Sequence, residues 1–278
     1  MKSFEHNNPQ ESGRGIMKKN GLCGWLVGTA LLASGMASAQ AQTLHFALAA
    51  EPYPPFSVKQ PDGKWTGFEP DLIQKVCAEL KAQCEIDEVA WDGIIPALLS
   101  KKIDVIFNSM SITEEREKQI AFSVPYYDTP VAVAAPAASE IKISPEGLKG
   151  KVIGVQTSTV SSSYLKKYYE KIADVRYYDT QDSVNADLVA GRIDLMMADG
   201  VAVKAFLDSP DAKAAGIVSK GEVPYDPVFG RGVGAGLRKE DTALKAQIDD
   251  AIGKLLASDD YKQLSNKYFG LSVAPKQQ

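Results

Sequence analysis

Histidine and cysteine are nearly absent from this sequence, and that removes several kinds of chemistry at once. Only two histidines and three cysteines occur in 278 residues. Cys23 falls in an N-terminal segment that reads as a leader, so His45, Cys77 and Cys84 are what remains for the body of the chain. A lone histidine on an apparent first strand supports neither a metal cluster nor a Ser/His/Asp nucleophilic set. A surplus of base is missing too. The 31 Lys and Arg against 35 Asp and Glu leave a formal net charge of −4, which argues against binding nucleic acid through its phosphates. Beyond residue 41 no apolar run approaches the roughly 20 residues of a membrane-spanning helix. What is left is a globular composition, 45% hydrophobic and long enough for one large domain or two ordinary ones.

Residues 1–41 differ from the rest. Lys18-Lys19 precede "GLCGWLVGTALLASGM" and "ASAQAQ", the order of a charged region, a short apolar region and small-residue cleavage sites at Ala37-Ser38-Ala39 or Ala39-Gln40-Ala41. As a membrane anchor the run is short and rich in Gly and Ser. Met17 reads as the natural start, with 1–16 a mis-called upstream extension, and "NGLC" is a poor lipidation signal. The expectation is a signal peptide and a soluble, periplasmic product. In that oxidising compartment Cys77 and Cys84 imply one disulfide, worth about 2–3 kcal/mol for so short a loop. Their spacing is not that of a C-x-x-C redox motif.

Strand and helix patterns alternate. "LHFALAA" (44–50), "CEIDEVA" (84–90) and "IDVIF" (103–107) read as strands, and "DLIQKVCAEL" (71–80) and "DGIIPALLS" (92–100) as helices, the second capped by Asp92. The series restarts with strands at 151–157, 175–179 and 193–198 and helices at 161–172 and 183–191. Such alternation implies βαβ units and parallel sheets. A gap-free overlay of 91–109 on 181–199 places Asp92 on Asp182 as helix caps and Ser109 on Asp199, both just beyond a strand's carboxyl end, where open α/β sheets bind ligands. Either any two βα units look alike, or two lobes share one architecture. The segments 126–139 and 221–241 are extended or Gly/Pro-rich, and two helices follow at 241–270. The chain is thus expected to cross into a second lobe, return, and finish on the first, with two hinge crossings.

In "DVIFNSMSITEER" (104–116), Thr113 caps a helix and Arg116 sits in its first turn, where a cation opposes the helix dipole. Glu114 and Glu115 could neutralise it; alternatively Arg116 awaits a carboxylate, which it would grip through charge-assisted hydrogen bonds. Asp199 is either the cap of "GVAVKAFL" or a counter-charge for an ammonium. Together the two would hold the ends of a zwitterion. Tyr53 and Trp91 are surface-lining aromatics or a sandwich around a side chain, and Glu51 a solvated loop acid or the partner of a distal positive group. The loop "QTSTVSSS" (156–163) offers N–H and hydroxyl groups at a helix start, which suits an anion.

"GFEPDL" (67–72), "WDGIIPALLSKKIDVI" (91–106), "SITEEREKQIAFSVPYY" (111–127), "LKGKVIGVQ" (148–156), "DLVAGRIDLMMAD" (187–199) and "GVGAGLRKEDTAL" (232–244) resemble the extracytoplasmic amino-acid-binding proteins of ABC importers, solute-binding family 3. The likeness spans about 42 to 272 and is strongest to the histidine- and lysine/arginine/ornithine-binding branch and its opine-binding relatives. The Cys77–Cys84 spacing also matches that branch.

The resemblance implies a type II periplasmic-binding-protein fold, an α/β architecture of two lobes, each a mainly parallel sheet flanked by helices. Lobe 1 would comprise 42–128 and 230–278, lobe 2 132–226, and the hinge segments lie near 129–131 and 227–229. It gives Arg116 to the ligand α-carboxylate, with Ser111 and the segment Thr159, Val160 and Ser161 adding hydrogen bonds. Asp199 and the Asn108/Ser109 backbone take the α-ammonium, Tyr53 and Trp91 enclose the side chain, and Glu51 meets its distal charge. Pro70, Asn108, Val160 and Ser161 depart from the family pattern. A monomer binding a cationic L-amino acid for an inner-membrane permease, with no cofactor, metal or nucleic acid and no enzymatic activity, is the implied function. An opine such as octopine or nopaline is the alternative ligand. A cyclohexadienyl (arogenate) dehydratase on this fold would need a general acid, and Glu51 and Asp199 are better used as ammonium partners. A receptor sensor would need a membrane segment or cytoplasmic module downstream.

Overall fold

Thr43–Ala49 (β1) alternates its side chains between two cores, Leu44, Phe46 and Leu48 on one face and Ala47 on the other. This computed structural model describes residues 43–275. The leader and both of its cleavage sites lie outside the described residues. A short hairpin, Val58–Lys59 (β2) and Trp65–Thr66 (β3), leads to helix Phe68–Leu80 (α1). Gln83–Val89 (β4), Ile94–Leu99 (α2) and Val105–Ile106 (β5) follow, then the one-turn helix Glu114–Glu117 (α3) and Ala121–Tyr127 (β6). The chain crosses to Val131–Pro136 (β7), Pro145–Leu148 (α4), Val152–Gln156 (β8), Val160–Tyr168 (α5), Asp174–Tyr178 (β9) and Gln181–Val189 (α6). Leu195–Asp199 (β10), Gly200–Leu207 (α7), Pro210–Ala214 (α8) and Ile217–Glu222 (β11) complete this part. The chain returns with Val233–Leu237 (β12) and ends in Thr242–Leu256 (α9) and Asp259–Phe269 (α10).

Two five-stranded sheets result, in the orders β4-β1-β5-β12-β6 and β9-β8-β10-β7-β11. In each, three parallel strands are followed by one reversed strand and then by an edge strand that runs with the first three again. The antiparallel strand beside the third parallel one has just arrived from the other lobe: β12 beside β5, and β7 beside β10. The overlay of 91–109 on 181–199 is therefore real architecture, since β5 and β10 hold the same place in matching sheets. Helices α1, α9 and α10 cover one face of the first sheet through Phe68, Leu72, Val76, Ile248, Ile252, Leu255 and Tyr261, and Ile94 and Leu98 of α2 cover the other. In the second sheet Val131 and Val133 face Leu148, Val155 and Leu165, while Ala132 and Ala134 face Val184, Leu188 and Val203.

Several local expectations need correction. Asp92 does not cap α2: a 3₁₀ turn over Trp91–Gly93 runs directly into the helix, so Asp92 already lies inside the turn and makes no capping bond. Asp182 does not cap α6 either, because Thr180 does so, accepting the Ser183 N–H at 3.1 Å. Aspartate is favoured both at the cap and in the first turn, so its presence alone does not set the start. Helix α1 begins at Phe68, three residues ahead of the predicted 71, because Pro70 in the first turn gives up an N–H that has no acceptor there. Helix α5 stops at Tyr168 instead of 172, where the chain folds back and the Ile172 carbonyl accepts the Gly150 N–H at 2.7 Å. The disulfide joins Cys77 to Cys84, fastening the end of α1 to β4.

Candidate functional site

A cavity of about 690 Å³ lies between the two sheets at the carboxyl ends of their parallel strands. Its walls include Glu51, Tyr53, Trp91, Asn108, Ser109, Ser111 and Arg116 from the first lobe and Thr159, Val160, Ser161 and Asp199 from the second. Every candidate ligand residue read from the sequence thus meets at one place. The wall also holds Asp128, Thr129, Gln156, Gln181, Glu222, Tyr225 and Phe229, which sequence reasoning did not single out.

Thr113 caps α3 by accepting the Arg116 N–H, as expected, and so places Arg116 at its third position. The guanidinium does not pair with its acidic neighbours, since Glu115 is taken by Lys118 at 2.7 Å. Among the described residues no carboxylate lies within ion-pairing distance of Arg116. Its Nη1 donates to the Ser111 carbonyl at 2.8 Å and its Nη2 to the Ser158 carbonyl, on the opposite lobe, at 2.9 Å. The Trp91 ring lies 5.6 Å from the guanidinium carbon, within cation–π range. Burial away from water pulls the arginine pKa down to about 10, which leaves it cationic at neutral pH.

Asp199 serves as cap and cavity wall together. Its Oδ1 accepts the N–H groups of Val201 at 2.8 Å and Ala202 at 3.3 Å at the start of α7. Its Oδ2 accepts the Thr129 hydroxyl, from the crossing between β6 and β7. Burial raises this carboxyl to about 6 in spite of those hydrogen bonds, and the nearby charge of Asp128 adds to the rise. A cation placed beside it would restore the ionised form.

The remaining groups divide into those already engaged and those open. The Asn108 amide oxygen accepts the Ala49 N–H at 2.9 Å and so ties the end of β1 to the end of β5. Ser109 adopts a left-handed backbone (φ 48) and gives its N–H to Glu69. The Thr159 hydroxyl is consumed in a capping box with Ser162, so its part is to start α5. The N–H groups of Val160 and Ser161 then open that helix with no intrahelical acceptor, and a helix start of this kind favours an anion. One oxygen of Glu51, Oε2, is buried in the cavity wall and has no hydrogen-bond partner among the described residues. Tyr53 stacks on Phe56 at 5.5 Å, and its hydroxyl pKa is pushed up by burial and by the Asp199 charge.

Among the described residues the wall carries the acids Glu51, Asp128, Asp199 and Glu222 and the base Arg116, which makes it net acidic. Among the described residues no group of His, Cys, Asp and Glu could hold a metal ion, and no helix is long and apolar enough to cross a membrane.

Two α/β lobes meeting over a polar cleft, with an arginine on one wall and an aspartate on the other, define the architecture of two-lobed solute-binding proteins. The chain belongs to the bacterial extracellular solute-binding proteins, family 3, whose pattern matches residues 46–271. It is 38% identical over 223 residues to the L-arginine-binding protein of Pseudomonas aeruginosa, covering 80% of this chain and 86% of that one. It is 37% identical over 226 residues to the histidine-binding periplasmic protein of Escherichia coli K12, covering 80% and 85%. An ancestral arginine-binding protein bound to arginine superposes with a TM-score of 0.75 at 33% identity, covering 82% of this chain and 98% of that one.

Proposed function

We propose that this protein is the exported solute-binding component of an ABC amino-acid importer. It captures a cationic L-amino acid, lysine, arginine or ornithine and with less fit histidine, and hands it to an inner-membrane permease. The observation that carries this reading is the pairing of Arg116, which has no carboxylate partner among the described residues, with Asp199 across one cavity. Arg116 and the N–H groups of Val160 and Ser161 take the α-carboxylate, with Ser111 beside them. Asp199 and the Asn108/Ser109 backbone take the α-ammonium. The surplus of acid in the wall and the Glu51 oxygen without a hydrogen-bond partner among the described residues suit a second positive charge at the end of the side chain, with Tyr53 and Trp91 flanking its stem. The arginine named for two of the relatives above supports the same choice.

In this reading residues 1–41 are the signal segment and the product is a periplasmic monomer. Lobe 1 comprises 42–128 and 230–278, lobe 2 comprises 132–226, and closure turns about 129–131 and 227–229. In this reading the protein is a carrier rather than an enzyme, with Asp199 used as the α7 cap and as the partner of the α-ammonium. A thermal-shift screen of the purified protein against the L-amino acids, octopine, nopaline and prephenate tests the assignment, since a ligand that binds only the folded state raises the melting temperature. Arginine, lysine or ornithine should give the largest rise. A larger rise with an opine would move the assignment to that ligand class, and turnover of prephenate would replace it by a dehydratase.

A further inference from the structure

Among the described residues, the side-chain N–H groups of Trp91 and Arg116 donate across the cleft, and they end on consecutive carbonyls. The Trp91 indole N–H donates to the Thr157 oxygen at 3.1 Å, and Arg116 Nη2 donates to the Ser158 oxygen at 2.9 Å. Both acceptors belong to the turn between β8 and α5. Ser158 there adopts a left-handed backbone (φ 59), which reverses the chain between its two roles. The carbonyls of 157 and 158 point at the first lobe, and three residues later the N–H groups of Val160 and Ser161 open α5 at the cavity wall. On the first-lobe side the two donors are themselves in contact, the Arg116 guanidinium lying 5.6 Å from the Trp91 ring.

We propose that Trp91 is a closure latch: its indole N–H, bound to the Thr157 carbonyl, holds the two lobes together over the ligand and is separate from any role of the ring in choosing side chains. The inference rests on the proposed binding function, and it deepens that function by assigning a positioning role. Trp91 begins the 3₁₀ turn ahead of α2, so its ring is fixed by the first lobe while its N–H reaches the second. Arg116 completes the latch. Of its five N–H donors, one goes to Ser111 and one to Ser158, leaving the rest for a ligand carboxylate. The same guanidinium therefore touches ligand and opposite lobe together, so that a bound carboxylate, by fixing the arginine, strengthens the bridge to Ser158 and favours closure. Opening the cleft breaks both bridges and returns two donors and two carbonyls to water. The latch is therefore worth the net strength of ordinary hydrogen bonds, enough to bias an equilibrium without locking it.

Trp91→Phe keeps an aromatic ring and removes the N–H. The latch predicts an affinity loss of roughly two- to tenfold, the same for arginine, lysine and ornithine in calorimetry, with faster release of radiolabelled ligand. It also predicts a more extended ligand-free molecule by small-angle X-ray scattering, at an unchanged melting temperature. Unchanged affinity and release would overturn it. So would a loss confined to one ligand, which would make Trp91 a selectivity residue only. If wild type binds no amino acid, the functional assignment fails while the scattering comparison still decides whether the N–H holds the lobes together.

Discussion

One carboxyl oxygen of Glu69 accepts both the Ser109 backbone N–H and the Tyr126 hydroxyl, each at 2.5 Å, beneath the floor of the cleft. Glu69 is 0% exposed. Burial raises its pKa to about 7, against the hydrogen bonds from Tyr126 and Ser109, which act the other way. The folded state therefore holds a proton that the unfolded chain releases near 4.5. Stability from this group is present at low pH and falls as pH rises through about 7. Glu69→Gln keeps an oxygen for Ser109 and Tyr126 but cannot ionise. Its stability relative to wild type should improve by about 2–3 kcal/mol between pH 5 and pH 8 in urea unfolding. A difference independent of pH would show that Glu69 does not titrate in that range.

Arg116→Ala and Asp199→Asn separate ligand contacts from folding. The arginine change strands a ligand carboxylate in a buried site and should cost at least about 100-fold in affinity for arginine, measured by calorimetry. Asparagine is as good an N-cap as aspartate, so α7 should survive Asp199→Asn with little change in melting temperature. The charge partner of the ammonium is gone, however, and affinity should fall by a similar factor. Wild-type affinity in either variant would remove the zwitterion clamp.

Binding should weaken in acid. Asp199 titrates near 6 in the empty cleft, and an ammonium beside it pulls the carboxyl back toward ionisation. Below about 6 the ligand must displace a proton, and affinity should drop by up to roughly tenfold per pH unit. Calorimetry at pH 5 in two buffers of different ionisation enthalpy should detect proton release, and at pH 8 it should detect none. Proton uptake at pH 5 would contradict the placement of the ammonium at Asp199.

The elements of this site were legible in the sequence where the signal was local. Thr113 as cap put Arg116 in a first turn, and the overlay of two βα units put Ser109 and Asp199 at matching strand ends. Other parts depend on residues far apart in the chain. Glu69 and Tyr126 are separated by 57 positions, and Thr129 reaches Asp199 across 70. The acceptors at 157 and 158 are backbone carbonyls, which any residue would supply, so no side chain announces them. Asp92 and Asp182 were misread as caps because aspartate fits a first turn as well as a cap.

The disulfide should matter to stability and leave the cleft alone. It joins cysteines seven positions apart at the far end of α1, and the cavity wall includes neither of them. Cys77→Ser with Cys84→Ser should lower unfolding free energy by about 2–3 kcal/mol. Ligand affinity at 25 °C should stay within roughly twofold of wild type, a shift too small to signal a lost hydrogen bond. A larger change in affinity would place the α1–β4 junction in the binding equilibrium.

Gly230 holds the second crossing against the segment that carries Ser111 and Arg116. It sits at φ 83, and a Cβ there would lie 2.2 Å from the Ile112 carbonyl oxygen. That oxygen accepts the Arg231 N–H at 3.1 Å, and the Ile112 N–H donates to the Gly232 carbonyl at 2.8 Å. Alanine at 230 must therefore break this pairing or push Ile112 away, and the displacement passes directly to Ser111 and α3. Gly150 is the comparison: it has a similar φ of 70, but a Cβ would meet nothing within 4 Å. Gly150→Ala should cost only the backbone strain of a left-handed residue, about 1 kcal/mol. Gly230→Ala should lower the melting temperature by several degrees more and weaken arginine binding, while Gly150→Ala leaves binding unchanged. Equal melting temperatures for the two variants would mean that the close approach of Gly230 to Ile112 does not hold the crossing in place.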